Sequence, residues 1–521
     1  MSDRKLSSNA WDQLGDYLRE TQLLGSIQST LYWDQNTVMP SLGASWRGEQ
    51  LCLLAKNLHS RQTSNEFELL LQEASLEFDR QCSEEELSGV EIQQKARNIE
   101  LLKNDFHRQK SLDPDLVARL ALAKANGYNL WQEAKNKSAF HIFSPALKEL
   151  ISLRQEEARQ LSESRSCWES LAQPFEPDIT ISRLKELFDP LRTKLPELLE
   201  KLKSKKNLPR NSWDIDEKSQ EKLCNQLLKC WSRDSRKTSI ARSPHPFSIT
   251  LGPNDFRITT RVVSGQPLSC FLATAHEWGH SLYEQGLPSQ SHQWFAWPLG
   301  QATSMGLHES QSLFWENRVA RSLAFSERFW REFSNCGAPV SCAQDLWHAM
   351  NPLEPGLNRV EADELSYGLH ILIRTDLEIA LLEDCLNVDE LPHEWNKRYK
   401  SLLGVIPIND REGCLQDVHW SEGAFGYFPS YLIGHLISAQ LSESMSSGLI
   451  KKGFSKDNPI EDCIRGENES FLISWLRENV HCHGRQMNAE KLVEHVTGKK
   501  LSSEIFLHYL ENKLDLLTSN S

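Results

Sequence analysis

His276 and His280 stand four residues apart in ATAHEWGHSLYEQG (273–286), and Glu277 follows the first of them. In a helix, residues four apart share a face, so both imidazoles can be aimed at one ion at the zinc–nitrogen distance of about 2.0–2.1 Å. Glu277 then lies beside the ion rather than on it, where a carboxylate can take a proton from a metal-acidified water. The spacing describes equally well two histidines that merely share the surface or core side of a helix. A catalytic zinc also needs a third protein ligand and an open fourth position. Glu309, 29 residues after His280, can supply that ligand from a second, antiparallel helix, giving a His₂Glu set. His308 and Glu316 compete for the role. His308 points about 100° around the helix from Glu309, and Glu316, two turns on, suits an outer position from which carboxylates orient ligands.

These residues need elements to hold them. The stretch 269–288 predicts a helix with Ser269 as N-cap and a stop at Gly286 and Pro288. GQATSMGLHESQSLFWENRVARS (300–322) predicts the second helix, reached through LPSQSHQWFAWP. Between the helical regions, HPFSITLGPNDFRITTRVVSG (245–265) alternates around Gly252-Pro253-Asn254-Asp255 and predicts a hairpin. Arg257, Thr259 and Arg261 share one face of its second strand, either a solvated edge or an anion site; the strand by itself favours the edge. Upstream, apolar residues at three- and four-residue steps predict amphipathic helices over 10–35, 146–173 and 181–206, with Pro190 and Pro196 as breaks or first-turn residues. The chain divides into a helical half, 1–240, and a motif-bearing half, 241–521, the two forming one continuous catalytic unit.

Composition narrows the function classes. Of 521 residues, 39% are hydrophobic and 25% charged, as in ordinary globular proteins. The net charge of −13 argues against a general nucleic-acid binder; KLKSKKNLPR (201–210) predicts a solvated helix end and loop. The N-terminus has no apolar signal region, and no run of 18 apolar residues predicts a membrane span. The twelve cysteines form no CxxC pair, the closest being Cys224/Cys230 and Cys336/Cys342, which predicts reduced thiols in a cytoplasmic protein. Adjacent His481, Cys482 and His483 are poorly spaced to converge on one ion.

Taken together, LYWDQNTVMPSLGASWRGEQLCLLAKNLHS (31–60), HPF (245–247), DFRIT (255–259), HEWGH (276–280), HESQ (308–311), GCLQDVHW (413–420) and a C-terminal WLRENVHCHGR…LVEHVTGKKLS (475–502) resemble the carboxypeptidase Taq family of zinc metallocarboxypeptidases. NRVEAD (358–363) departs from the family pattern, with Asn358 at an aliphatic position but Arg359, Ala362 and Asp363 intact. The resemblance implies a mainly α, zincin-like helical fold with a small β-sheet beside a deep active-site groove, and a homodimer. It implies one zinc ion per chain, replaceable by cobalt, held by His276, His280 and Glu309. The implied activity is removal of single C-terminal residues from peptides, with broad specificity and poor action on proline.

A carboxypeptidase must hold a free carboxylate, which suits the planar fork of arginine. The resemblance implies this role for Arg359 and Arg257, with Gln416 adding a hydrogen bond, His245 either lining the groove or serving a structural turn, and Asp363 and Asp417 each pairing with a neighbouring arginine or histidine. It further implies Glu277 as general base, and His419, Tyr427 and Tyr431 as donors toward the developing oxyanion. Tyr427 and Tyr431 also fit plain aromatic packing. Two rival functions share the metal: an oligopeptidase that cuts internally, and a helical protein with a structural zinc.

Overall fold

In a computed structural model, residues 9–203, 213–291, 293–353 and 355–519 are described. The first half consists of helices Ala10–Thr37 (α1), Ala44–Gln62 (α2), Asn65–Ser83 (α3), Gly89–Lys110 (α4), Pro114–Lys137 (α5), Phe140–Leu161 (α6), Cys167–Ala172 (α7), Ile181–Lys203 (α8) and Glu217–Cys230 (α9). Their starts follow local chemistry: Asn9, Ser64 and Asp113 accept from first-turn amides, and Ser88 with Glu91 forms a reciprocal capping box. The expected helix over 146–173 is two. Its first part ends at Leu161, and a second capping box, Ser166 with Glu169, starts α7. Pro190 and Pro196 do not break α8, which runs through both. The buried stripe of Leu184, Leu187, Phe188, Leu191, Leu195, Leu198 and Leu199 outweighs the bonds the prolines cost. Residues 204–210 of the basic stretch lie outside the described residues.

The strands are Thr238–Arg242 (β1), Ser248–Gly252 (β2) and Asp255–Thr260 (β3), in the order β1-β3-β2. The expected hairpin is β2 with β3, antiparallel, pairing Ile249 with Arg257 and turning through Asn254 at φ 65°. β1 joins it in parallel, Thr238 opposite Phe256 and Arg242 opposite Thr260. Arg261 lies beyond β3.

The second half continues with Pro267–Gly286 (α10), Met305–Leu313 (α11), Leu323–Asn335 (α12), Ala343–Met350 (α13), Glu364–Leu382 (α14), Leu391–Leu402 (α15), Phe428–Lys451 (α16), Pro459–Arg465 (α17), Glu469–Asn479 (α18), Ala489–Thr497 (α19) and Glu504–Ser519 (α20). Ser269 is not the cap of α10. The helix begins two residues earlier at Pro267, whose fixed φ suits a first helical position and whose missing N–H costs nothing there. The second expected helix begins at Met305, capped by Ser304 accepting from Leu307 N at 3.0 Å. From Phe314 to Ala320 it widens into a π-helix.

One buried core extends from Ala134 to Leu514 and so crosses residue 240. A smaller one joins α1, α3 and α4 to Trp297. Glu378 of α14 ties the large core together. Its buried carboxylate accepts from Trp168 Nε1 (2.8 Å), Trp420 Nε1 (3.1 Å) and Gly426 N (2.7 Å), which fixes the loop that carries His419 and Tyr427. No described helix is long and apolar enough to cross a membrane. All twelve cysteines are free thiols.

Candidate metal centre and its surroundings

The site is set by three helices in close contact. α10 leaves the sheet through Thr260, whose hydroxyl donates to Cys270 O (3.0 Å) and accepts from Thr274 (3.0 Å). Buried Phe271, Ala275, Trp278 and Leu282 hold it on the core. α11 then lies between α10 and α16, and glycines set the spacing. A Cβ at Gly279 would stand 2.6 Å from Ser312 Cα and 2.8 Å from Gln311 O; one at Gly434 would stand 2.9 Å from Glu309 Cβ. Gly279→Ala is therefore expected to destabilise the protein by about 1–3 kcal/mol and to weaken metal binding by pushing Glu309 away from the histidines. Urea unfolding and chelator competition measure both, and an alanine variant of native stability would contradict this packing.

Nε2 of His276 lies 3.6 Å, and Nε2 of His280 3.3 Å, from the same oxygen, Oε2 of Glu309. Tetrahedral zinc with bonds of about 2.0–2.2 Å separates neighbouring donor atoms by roughly 3.3–3.5 Å. The three groups thus fit one ion, and among the described residues they are the one His/Cys/Asp/Glu group close enough to hold a metal. His481 instead bonds Gln311 Oε1 at 3.0 Å, and Cys482 is exposed.

The electrostatics also favour a cation. Burial would lower His276, but Glu309, Glu316 and Glu277 outweigh it and hold the imidazole well above its ordinary value. Burial also opposes ionisation of Glu309, yet His276 and His280 keep it well below the usual carboxylate range. His280 is pulled down to about 4 by burial, with His308 adding to it. The Nδ1 atoms are tied back: His276 Nδ1 to Glu316 Oε2 at 2.9 Å, and His280 Nδ1 to His308 Nδ1 at 2.7 Å. Glu316 is itself held by Arg321 at 2.8 Å. Glu277 is 8% exposed, and burial pushes its carboxyl up to about 7.

A second cluster lies alongside. His419 Nε2 meets Tyr431 OH at 3.4 Å, and the Tyr427 and Tyr431 rings stand 5.1 Å apart. Burial pulls His419 down to about 4. Burial and then the charge of Glu309 push Tyr427 up to about 12. Tyr431 and Tyr367 also feel Glu309, so the phenols and the candidate ligands share one space.

Arg359 is bound into this cluster. Its Nε donates to Asp417 Oδ1 (2.9 Å), its Nη1 to Tyr367 OH (3.2 Å), and the guanidinium stands 5.1 Å from the Tyr431 ring. Asp417 also accepts from Arg374 Nε at 2.6 Å. Despite burial, Arg374 and Arg359 hold its carboxyl well below the usual range.

Other expected residues stand differently. Among the described residues, Asp363 meets no arginine or histidine. It caps α14, accepting from the amides of Leu365 and Ser366 at 2.9 Å each, because it sits one residue before the helix. Gln416 is engaged by protein: its amide nitrogen meets Leu357 O (2.8 Å), Tyr399 OH (3.3 Å) and Glu412 O, and its oxygen accepts from Arg374 Nη2 (3.0 Å). Arg257 pairs with Asp255 of its own strand at 2.9 Å and stands 5.6 Å from the Trp33 ring. His245 is exposed in the turn before β2. Sequence reasoning missed Arg374, Tyr367 and Glu284. A single arginine in the apolar run LHILIR (369–374) was the available signal for the first.

Residues 13–514 match the family described as Carboxypeptidase Taq (M32) metallopeptidase. The chain is 35% identical to Thermostable carboxypeptidase 1 of Thermus thermophilus, covering 97% of this chain and 98% of the relative. It is 31% identical to Carboxypeptidase 1 of Bacillus subtilis, covering 96% of each. Its fold is similar to the crystal structure of the M32 carboxypeptidase from Deinococcus radiodurans R1, with TM-score 0.89, 31% identity, and 98% of this chain and 99% of that one covered. Metallocarboxypeptidase 1 of Trypanosoma cruzi is equally similar, with TM-score 0.89, 30% identity, and 97% and 99% covered.

Proposed function

Because the chain belongs to the carboxypeptidase Taq (M32) family of metallopeptidases, and is thus a carboxypeptidase that works with a metal ion, we propose that the ion is one zinc, replaceable by cobalt, held by His276, His280 and Glu309. The observation that carries this reading is the convergence of two Nε2 atoms on one Glu309 oxygen while both Nδ1 atoms are bonded away from it. When bound, the ion would supply Lewis-acid polarisation of the scissile carbonyl and acidify a water.

The chain's own groups do the rest. Glu277 takes the water proton on its carboxylate and returns it to the leaving amine. Tyr427 and His419 donate toward the oxygen that gains charge, with Tyr431 beside them. Asp417 holds Arg359 by Nε and Tyr367 takes Nη1, which leaves Nη2 toward the substrate's terminal carboxylate. Gln416 supports this from behind through Arg374. Arg257, paired with Asp255 on the sheet, is the second arginine for the same carboxylate, and His245 lines the groove.

The products are single C-terminal residues, released with broad specificity and poorly when the residue is proline. The enzyme acts in the cytoplasm as a homodimer built as one catalytic unit. Exposed Val38 and Leu42 between α1 and α2, with Trp46 and Leu53 on α2, offer apolar surface for a second copy. Mass spectrometry of zinc-loaded protein with peptide mixtures should give ladders shortening one residue at a time from the carboxyl end. C-terminally amidated peptides should be cut about 10- to 150-fold more slowly, the loss of a charged hydrogen bond worth about 1.5–3 kcal/mol. Equal cleavage of both forms would favour internal cutting.

A further inference from the structure

We propose that His308 and Glu284 are positioning residues that fix the proton on His280 and so present its Nε2 lone pair to the metal. The proposal rests on the reading of His276, His280 and Glu309 as the ligands. His308 precedes Glu309 on α11, and its side chain turns toward α10 instead of toward the Glu309 oxygens. There its Nδ1 stands 2.7 Å from His280 Nδ1, and its Nε2 stands 3.0 Å from Glu284 Oε1. The His280 and His308 rings lie 4.5 Å apart at 32°, and Tyr283 packs edge-on against His308 at 5.4 Å.

The order of protons along this chain follows from its far end. An ionised carboxylate can only accept, so His308 Nε2 carries a hydrogen toward Glu284. A neutral imidazole with its hydrogen on Nε2 has a bare Nδ1. That Nδ1 accepts from His280 Nδ1–H, which leaves His280 Nε2 without a hydrogen, 3.3 Å from Glu309 Oε2. Glu284 lies four residues after His280, on the same face of α10. The helix therefore brings its own carboxylate back to its own ligand, with α11 supplying the ring that bridges them. His276 reaches the same state by one direct bond to Glu316. The two ligand histidines are thus supported differently, and His308 is committed to a bond instead of competing with Glu309 for the ion.

The test is zinc affinity by competition with a chelator, together with the visible spectrum of the cobalt-loaded protein. Asparagine carries an oxygen close to where His308 carries Nδ1, whereas leucine fills similar space with no acceptor. His308→Asn should bind zinc within about threefold of the native protein. His308→Leu should bind about 10- to 100-fold more weakly, with an altered cobalt spectrum. Equal affinity of the two variants would overturn the proposal. Should His308→Leu fail to fold, the half-buried Glu284 gives the same contrast. Glu284→Gln still accepts from Nε2–H and Glu284→Leu does not, so the leucine variant should bind the more weakly, and equality again overturns the proposal. His280→Ala separates the two levels. If it binds zinc as the native protein does, the ligand assignment itself fails. If it loses zinc while His308→Leu does not, only the role of His308 and Glu284 fails.

Discussion

Glu277→Gln is expected to lower kcat by about 10²- to 10⁴-fold, the usual contribution of a general base, while the protein keeps its full complement of metal. Glutamine has nearly the shape of glutamate, so α10 keeps its packing, and His276, His280 and Glu309 are untouched. What disappears is a carboxylate able to take a proton from water. The native group is well placed for proton exchange in both directions, because burial pushes it up to about 7, nearer the range where one group serves as base and then as acid. Single-turnover kinetics on a peptide with a free C-terminus, with metal content measured on the same sample, decide the matter. Full metal with undiminished turnover would remove Glu277 from the reaction.

The second large effect falls on Arg359. Arg359→Met should reduce kcat/KM on free-carboxylate peptides by about 10- to 150-fold, from the loss of a charged hydrogen bond worth about 1.5–3 kcal/mol. Cleavage of amidated peptides should change little, so the ratio between the two substrates collapses. Arg359→Lys should recover only part of the preference, since an ammonium carries charge without the planar fork. The variant should still fold, because Asp417 keeps its 2.6 Å bond to the fully buried Arg374 and is not left as an unpaired buried charge. Steady-state kinetics on matched free and amidated peptides provide the measurement. An unchanged ratio would move carboxylate recognition elsewhere, Arg257 being the next residue to examine.

The candidate ligands were readable from the chain because their logic is local or nearly so. Four-residue spacing aims His276 and His280 together, and one loop returns Glu309 to them. Tyr427 and Tyr431 followed from the same arithmetic, and their rings do meet at 5.1 Å. What escaped notice depends on packing between distant segments. β1 is only five residues long, and its parallel pairing with β3 leaves no mark in its own sequence. Pro190 and Pro196 look like breaks until the leucine stripe around them is buried. Ser269 has good cap chemistry, but Pro267 starts the helix first. Asp363 was expected to seek an arginine or histidine, whereas its donors are the amides of the helix it precedes. Glu284 is a polar residue four places from a histidine, a common pattern, and it gains meaning only when His308 arrives from α11.

The widened turn from Phe314 to Ala320 makes chain length part of the site. Arg321 N bonds Glu316 O at 3.0 Å across five residues, and the side chains of the same pair meet at 2.8 Å. In an α-helix, contact on one face comes at three or four residues, not five. Deleting one residue here would restore an ordinary helical ladder and, by local criteria, a better helix. Taken from Phe314 or Trp315, it would also turn everything downstream by about 100°, carrying Glu316 away from His276 Nδ1, which it meets at 2.9 Å. The segment therefore tolerates changes of residue type more readily than changes of residue number. In that sense, what it contributes to the candidate metal centre is phase rather than any particular side chain.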